Sequence, residues 1–318
     1  MNPTVLAALD RLVVARDHRL ETNSGSMLTR ARRAGRLVPL AHGIDAPVDA
    51  VTGLSRSDLA LLRALAVARH GRARRPLARR SAALVWGIPL LEPPPETVDV
   101  LGWGPAATRT AGVLRYWGTA HPDALLQERH AVEVTSLART LAELAAGGSF
   151  AAGVVAVDWG IRDRALPGES SVTLAEIADA ADELKIRRGR AQLDRVLLFA
   201  DGRSESPGES WSRVLIRRLG FVAPDLQVGV RGVGGELFRA DFGWDGGRIL
   251  GEFDGREKYT SAAMRGERSA ADVVVQEKRR EDSVRATGRG VCRWDWSDLV
   301  HHHRLAATLT SAGVPRRR

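Results

Sequence analysis

The stretch ADFGWDGGRILGEFDGREKY, Ala240 to Tyr259, decides how the last third of the chain folds. Two apolar runs flank Asp245-Gly246-Gly247, and each carries an acid: Asp241 in the first, Glu252 in the second. Strand alternation puts Phe238, Ala240, Phe242 and Trp244 on one face, and Arg239, Asp241 and Gly243 on the other. In the second run, Ile249, Gly251 and Phe253 fall opposite Leu250, Glu252 and Asp254. Gly246-Gly247 suits a two-residue hairpin turn, which needs positive φ. Closure there pairs Trp244 with Ile249 and Asp241 with Glu252, and a four-residue loop keeps the same register. Directly paired residues share a face with Cβ atoms about 5 Å apart. Two like charges so placed destabilise the hairpin unless something positive joins them. A hard divalent cation such as Mg²⁺ (or Mn²⁺), held by one or two carboxylates with phosphate and water, resolves the conflict. A hairpin with one solvated face, where carboxylates cost little, is the other reading of the same pattern.

Working outward, 318 residues predict two or three domains. A hydrophobic fraction of 44% with 27% charged residues is that of an ordinary globular protein. No apolar run approaches the roughly 18 residues of a membrane helix. The start, MNPTVLAALDRLVVARDHRL, lacks the basic opening, apolar core and cleavage site of a signal peptide. The lone Cys292 excludes an internal disulfide and a multi-cysteine zinc site, and in VCRW it reads as a buried small apolar residue. A cytoplasmic protein without membrane association is the simplest expectation.

The net charge of +9 is unevenly spread. Residues 1–80 carry 15 basic and 6 acidic side chains, a difference of +9; residues 81–200 carry 11 and 15, or −4; residues 201–318 carry 21 and 17, or +4. An excess at one end is expected where that end meets phosphate. Val5, Leu6, Leu9, Leu12 and Val13 recur at helical spacing. Ser26 is placed to cap a helix over Met27 to Ala34 that carries Arg30, Arg32 and Arg33; Gly35 stops it and Arg36 follows. RLVPLAHGI then reads as a short β-like run. Helix, basic helix and β-wing is the order of a winged helix-turn-helix, with Arg30, Arg32, Arg33 and Arg36 as the DNA-binding residues. A solvated basic helix packed on its neighbour fits the spacing equally well.

The middle holds no catalytic constellation. Thr135 and Thr173 are expected helix caps, TLAE at 173–176 is a capping box, and helices are expected near 136–146, 150–164, 174–184 and 189–200. ADGRSESPGES, Ala200 to Ser210, marks a domain boundary. SAALVWGIPLL (Ser81–Leu91) and VTSLARTLAELA (Val134–Ala145), behind the winged-helix-like start, resemble the AbiEi-type antitoxins and regulators of bacteria over roughly residues 1–200. That resemblance implies a head that binds DNA and a middle domain that supports regulation or contact with a cognate toxin.

The C-terminal third is similar to a second family. A helix with Glu209, a strand Leu226–Val230, strands with Asp241 and with Glu252-Phe253-Asp254, a helix EKRREDSVRATG and a strand VCRW follow the element order of PD-(D/E)XK nucleases. GEFDGREKY resembles the E-x-D-G-x-x-H motif of the very-short-patch-repair branch, with Lys258 at the histidine position. The resemblance implies that Asp241, Glu252 and the Phe253 carbonyl hold the metal. It implies that Asp254, in the place of the usual motif lysine, holds a second ion or orients water. Lys258 would supply positive charge near the scissile phosphate, Glu209 an acid that either binds the metal or supports its ligands, and Arg280 either a phosphate contact or a salt bridge with an acidic neighbour such as Glu277. HHHRL at 301–304 does not form one compact metal site, because consecutive helical residues point to different faces. Trp294 and Trp296 read as packing groups, or as stacking platforms for bases.

The expected architecture is an α+β or α/β multidomain protein. It comprises a winged-helix head (1–50), an AbiEi-like middle domain (51–200) and a restriction-endonuclease-like domain (201–318). The expected activity is Mg²⁺-dependent hydrolysis of DNA phosphodiesters, in defence or repair. The alternative is a non-catalytic DNA-binding regulator, antitoxin-like, with a degenerate nuclease fold.

Overall fold

The computed structural model describes residues 2–15, 24–71, 75–104, 108–163, 171–255, 283 and 286–317. The chain is a mixed α/β protein that divides into two compact units, Met1–Phe199 and Ala200–Arg318.

The first unit opens with α1 (Pro3–Leu9). Asn2 caps it by accepting from the Thr4 N–H, and Pro3 sits where its missing N–H costs nothing. The apolar spacing through Val13 outruns this helix, because Val13–Val14 leaves it to form β1. Helix α2 (Ser24–Arg33) begins two residues before Ser26, and Gly35 follows at φ 65°. Strands β2 (Leu37–Ala41) and β3 (Ile44–Pro47) pair antiparallel, and β1 lies on the far edge of β3, giving the order β1-β3-β2. After α3 (Val48–Val51), the long α4 (Arg56–His70) packs a buried stripe including Leu61, Leu62 and Leu65 against α1, β2 and β3. Residues 1–50 thus share one unit with those that follow.

The remainder of this unit is α5 (Arg79–Trp86), β4 (Val98–Trp103), β5 (Arg109–Ala111), β6 (Leu114–Thr119), β7 (Leu126–Arg129), β8 (Val132–Thr135), α6 (Leu137–Gly147), α7 (Phe150–Ile161), α8 (Leu174–Glu183) and α9 (Arg190–Phe199). β4 runs parallel to β6, β5 antiparallel to it, and β7 and β8 form a hairpin. The cap of α6 is Ser136, which accepts from the Arg139 N–H, not the expected Thr135. Thr135 ends β8, and its buried hydroxyl meets that of Thr140 at 2.8 Å, so it is committed to the strand side of the junction. Thr173 and Glu176 form the expected capping box on α8.

The second unit holds α10 (Pro207–Arg218), β9 (Asp225–Arg231), β10 (Leu237–Trp244), β11 (Ile249–Asp254), β12 (Gly290–Asp295), α11 (Trp296–Val300) and α12 (His302–Ser311). The sheet order is β12-β11-β10-β9; β9, β10 and β11 are antiparallel neighbours and β12 runs parallel to β11. One core gathers Leu215 and Ile216 of α10, Leu305 and Leu309 of α12, and Phe242, Trp244, Phe253 and Trp294 of the sheet. Trp294 stacks on Phe242 with ring centroids 5.2 Å apart, and its Nε1 donates to Ser212 Oγ at 2.8 Å. Trp296 meets Phe253 edge-on, so both tryptophans serve packing.

The β10–β11 link departs from a two-residue turn. Asp245–Gly247 form a 3-10 turn with φ values of 52°, 62° and 82°, and Arg248 completes a four-residue link. The register is the expected one, with Trp244 opposite Ile249, Gly243 opposite Leu250 and Phe242 opposite Gly251. The expected single face of Phe238, Ala240, Phe242 and Trp244 is broken. Phe242 and Trp244 join the main core, whereas Phe238 and Ala240 pack in a second cluster with Val228, Val230 and Leu250. The break falls at Asp241. The β9–β10 rungs pass from Ala240–Val228 to Phe242–Leu226, and Gln227 between them is left-handed at φ 53°.

Candidate functional site

That irregularity is the centre of the site. Helix α10 approaches it because Ser206 caps its start, accepting from the Glu209 N–H at 3.1 Å, and Pro207 is preset for a first turn. Gly208 is required for close approach: a Cβ there would lie 1.9 Å from the Phe253 ring. Its absence seats the first turn of α10 against β11 and turns Glu209 inward.

Glu209 is 7% exposed. Its Oε2 accepts from the Glu205 N–H at 2.8 Å and from Gln227 Nε2 at 2.9 Å. Burial pushes its carboxyl up to about 7, and the negative charge of Asp241 adds to the rise. Glu205 backbone and Ser206 hydroxyl bonds pull the other way without reversing it.

Asp241 reaches across to the neighbouring strand, where its Oδ2 accepts from the Phe253 N–H at 2.8 Å. Continuing the β10–β11 register places Asp241 opposite Glu252. The positive charge that the pair calls for comes, in part, from the protein. Arg293 lies beside Glu252 on the parallel strand β12 and grips Glu252 Oε2 with Nε at 2.9 Å and Nη2 at 2.8 Å. Asp254 is half-buried at the end of β11, opposite Asp295, whose carboxylate caps α11.

The structure therefore brings Glu209, Asp241, Phe253 and Glu252 to one end of the sheet, with Asp254 one turn of the pleat further on. Lys258, Glu277 and Arg280 lie outside the described residues. Three residues escaped the sequence reading: Gln227, Arg293 and Gly208. Only Gly208 left a signal, a glycine at the second position of a capped helix, where every residue but proline forms helix more readily. Among the described residues no group of three or more His, Cys, Asp or Glu is arranged to hold a metal ion, the histidines at 301–303 included.

In the first unit, Arg30, Arg33 and Arg36 are exposed. Arg32 is turned inward, its Nε and Nη2 on the two oxygens of the fully buried Asp45 at 2.7 and 2.6 Å. It is thereby a structural bridge between α2 and β3, separate from the other three arginines assigned to DNA. Among the described residues no helix is long and apolar enough to cross a membrane.

No family model matches the chain. Two curated Mycobacterium tuberculosis proteins are similar to part of it: Uncharacterized protein MT2308 of strain CDC 1551 / Oshkosh and Uncharacterized protein Rv2248 of strain ATCC 25618 / H37Rv. Each is 38% identical over 89 residues, 28% of this chain and 33% of the relative. The chain thus matches a third of the length of these relatives. Among solved structures, the crystal structure of RV2827C protein from Mycobacterium tuberculosis aligns over 71% of this chain and 86% of its own, at 18% identity and a TM-score of 0.40.

Proposed function

We propose that this chain is a DNA-binding protein whose second unit is a nuclease-like domain that hydrolyses phosphodiesters. The observation that carries the reading is the Glu209–Asp241 juxtaposition: two acids at one end of a twisted sheet, one of them buried and held near 7. A carboxyl poised near neutral pH can exchange a proton with water during turnover, which an ordinary carboxylate does poorly. Perturbed groups of this kind concentrate at functional sites.

The donor set suits a hard divalent cation such as Mg²⁺ or Mn²⁺. All its atoms are oxygens, and Asp241 places a second negative charge beside the buried Glu209, which a cation would relieve. Asp241, the Phe253 carbonyl and Glu252 would hold it, with Asp254 orienting water or a second ion. When bound, such an ion supplies an activated water and offsets charge developing on the phosphate. The chain's own part is to fix Asp241 through the Phe253 N–H and Glu209 through Glu205 and Gln227. The head brings DNA through Arg30, Arg33 and Arg36 in a winged-helix arrangement.

A second reading is favoured by the Arg293–Glu252 pair. With Glu252 neutralised inside the protein, the same fold serves as a binding platform, and the chain is a regulator of the antitoxin type with a protein toxin as partner. Plasmid cleavage with and without Mg²⁺ or Mn²⁺ separates the two. Under the nuclease reading, wild type nicks or cuts only with metal, and Glu252→Gln lowers the rate by about a hundredfold or more while retaining metal-free DNA binding. Wild type also gains more thermal stability from the ion than the variant does, since a ligand of the native state stabilises it by mass action. No cleavage and no thermal shift at millimolar metal overturns the nuclease reading in favour of the regulator.

A further inference from the structure

A cavity of about 300 Å³ opens inside the first unit, lined by neither α2 nor β3. Its apolar wall comes from Leu90 and Leu91 after α5, Leu144 of α6, and Ala152 and Ala156 of α7. Its polar side is built on Arg79, Asp99, Arg115, Trp117 and Glu143. The size is at the small end of pockets for organic ligands, which are mostly apolar with a few convergent polar groups.

Arg79 is held there under constraint. It opens α5 in the left-handed region at φ 48°, uncommon for a residue with a side chain. Its guanidinium carbon lies 3.9 Å from the centroid of the Trp117 ring. A Cβ on Gly147, at the end of α6, would come within 2.5 Å of its Nη1, so a larger residue there would have to push the guanidinium aside. Its Nε is buried and meets no acceptor among the described residues. Burial pushes the guanidinium down from its ordinary value, and the nearby acids Glu143 and Asp99 offset this only in part.

Those acids are already engaged. Asp99 Oδ1 accepts from Trp117 Nε1 at 2.9 Å, and burial pushes its carboxyl up toward the neutral form. Glu143 is 9% exposed and accepts from Arg139 Nε at 2.9 Å, although its Oε2 finds no donor. Arg115 adds a second cation over the same Trp117 ring, at 4.6 Å. Arg79 therefore offers a buried N–H without an acceptor among the described residues beside an apolar wall, in a lining where Arg79, Arg80 and Arg115 meet Glu92, Asp99 and Glu143. A carboxylate matches the planar fork of a guanidinium. A second negative charge on the ligand would face Asp99 and Glu92, which also line the cavity. We propose that this cavity binds a small monocarboxylic acid, its carboxylate on Arg79 and its hydrocarbon body against Leu90, Leu91 and Ala152.

The test uses the full chain with octanoate as probe and octanamide as its uncharged counterpart, followed by calorimetry and by tryptophan emission. Octanoate is expected to bind about tenfold or more tightly than octanamide, the amount one charge-assisted contact contributes. Arg79→Met is expected to bring octanoate down to the amide's affinity and leave the amide unchanged. Ala152→Leu, which fills the apolar wall and keeps the cation, is expected to abolish both. Trp117→Phe is expected to remove the emission change and retain binding. Should Arg79→Met fail to fold, Ala152→Leu and the acid-to-amide ratio decide. Equal affinity for acid and amide overturns the proposal, as does no binding of either at millimolar concentration, or octanoate binding that survives Ala152→Leu.

Discussion

Asp45 in the first unit and Glu209 in the second are both buried carboxylates, 0% and 7% exposed, and the protein answers their charges in opposite ways. Asp45 receives a guanidinium fork from Arg32, both oxygens bonded below 2.8 Å. Glu209 receives one backbone N–H and one neutral amide, and its charged neighbour is a second acid, Asp241. The first arrangement ties α2 to the hairpin β2–β3 and leaves nothing for a ligand to do. The second leaves the carboxyl half-ready to hold a proton at neutral pH, and its ionised form is disfavoured in the folded protein. A buried acid is therefore informative about function through what faces it, more than through its burial.

The comparison breaks first if Arg32 is not structural. Arg32→Met strands the Asp45 carboxylate in the interior, which typically costs about 3 kcal/mol or more. Urea unfolding should show a loss of that order. Arg32→Met combined with Asp45→Leu should recover most of it, because an apolar pair of similar size replaces a desolvated ion pair at little net cost. Stability unchanged in the single variant would mean that the pair is a surface contact and that Arg32 belongs with the DNA-facing arginines.

The second test acts on the other acid, and its sign follows from the raised value. Glu209 in the folded state titrates at about 7, against an ordinary 4.5. Between those values the native state holds a proton that the unfolded chain has released. The stability contributed is therefore full below pH 4.5, falls as pH rises to 7, and is flat above. The whole fall is at most about 3 kcal/mol. Glu209→Gln keeps an acceptor for Glu205 and Gln227 and should flatten the curve, so that the variant is the more stable protein at pH 8. A wild-type profile without this slope would place Glu209 in an ordinary solvated environment and remove the main support for the proposed site.

How much of this was legible beforehand depends on the distance over which each cause acts. The capping box at Thr173–Glu176 and the β10–β11 register are set by residues within a few positions of one another, and the pattern of the chain carries them. The link Asp245–Arg248 was open to more than one geometry, yet its length kept the register. Arg293 answers Glu252 across 41 positions through a parallel pairing, and no local pattern encodes that partner. The conflict of charges between Asp241 and Glu252 was therefore visible, while its partial relief by a guanidinium was not. The alternation along β10 breaks at Asp241, beside the left-handed Gln227 of β9 at φ 53°, and no residue pattern within β10 marks the break. Nothing next to Asp45 in the chain explains an acid in β3; its partner Arg32 lies 13 positions earlier.

The smallest effect sharpens the first half of the comparison, because it asks what the basic helix does once Arg32 is set aside. Arg33 is exposed, one position along α2 from the residue that pairs with Asp45. Arg33→Gln removes a charge from a solvated face, so stability should stay within about 0.5 kcal/mol of wild type. If that face meets the DNA backbone, one fewer phosphate is neutralised. Duplex binding should then weaken about equally for all sequences, and the slope of log K against log salt should become shallower by roughly 1. Arg32→Met in the same assay should change the slope little where the protein remains folded, because its charge is spent on Asp45. Equal slopes for wild type and Arg33→Gln would mean that the positive excess of the first 80 residues is a solvated surface, and that DNA, if bound, is held elsewhere. A shallower slope for Arg33→Gln alone would divide two adjacent arginines into one that builds the head and one that uses it.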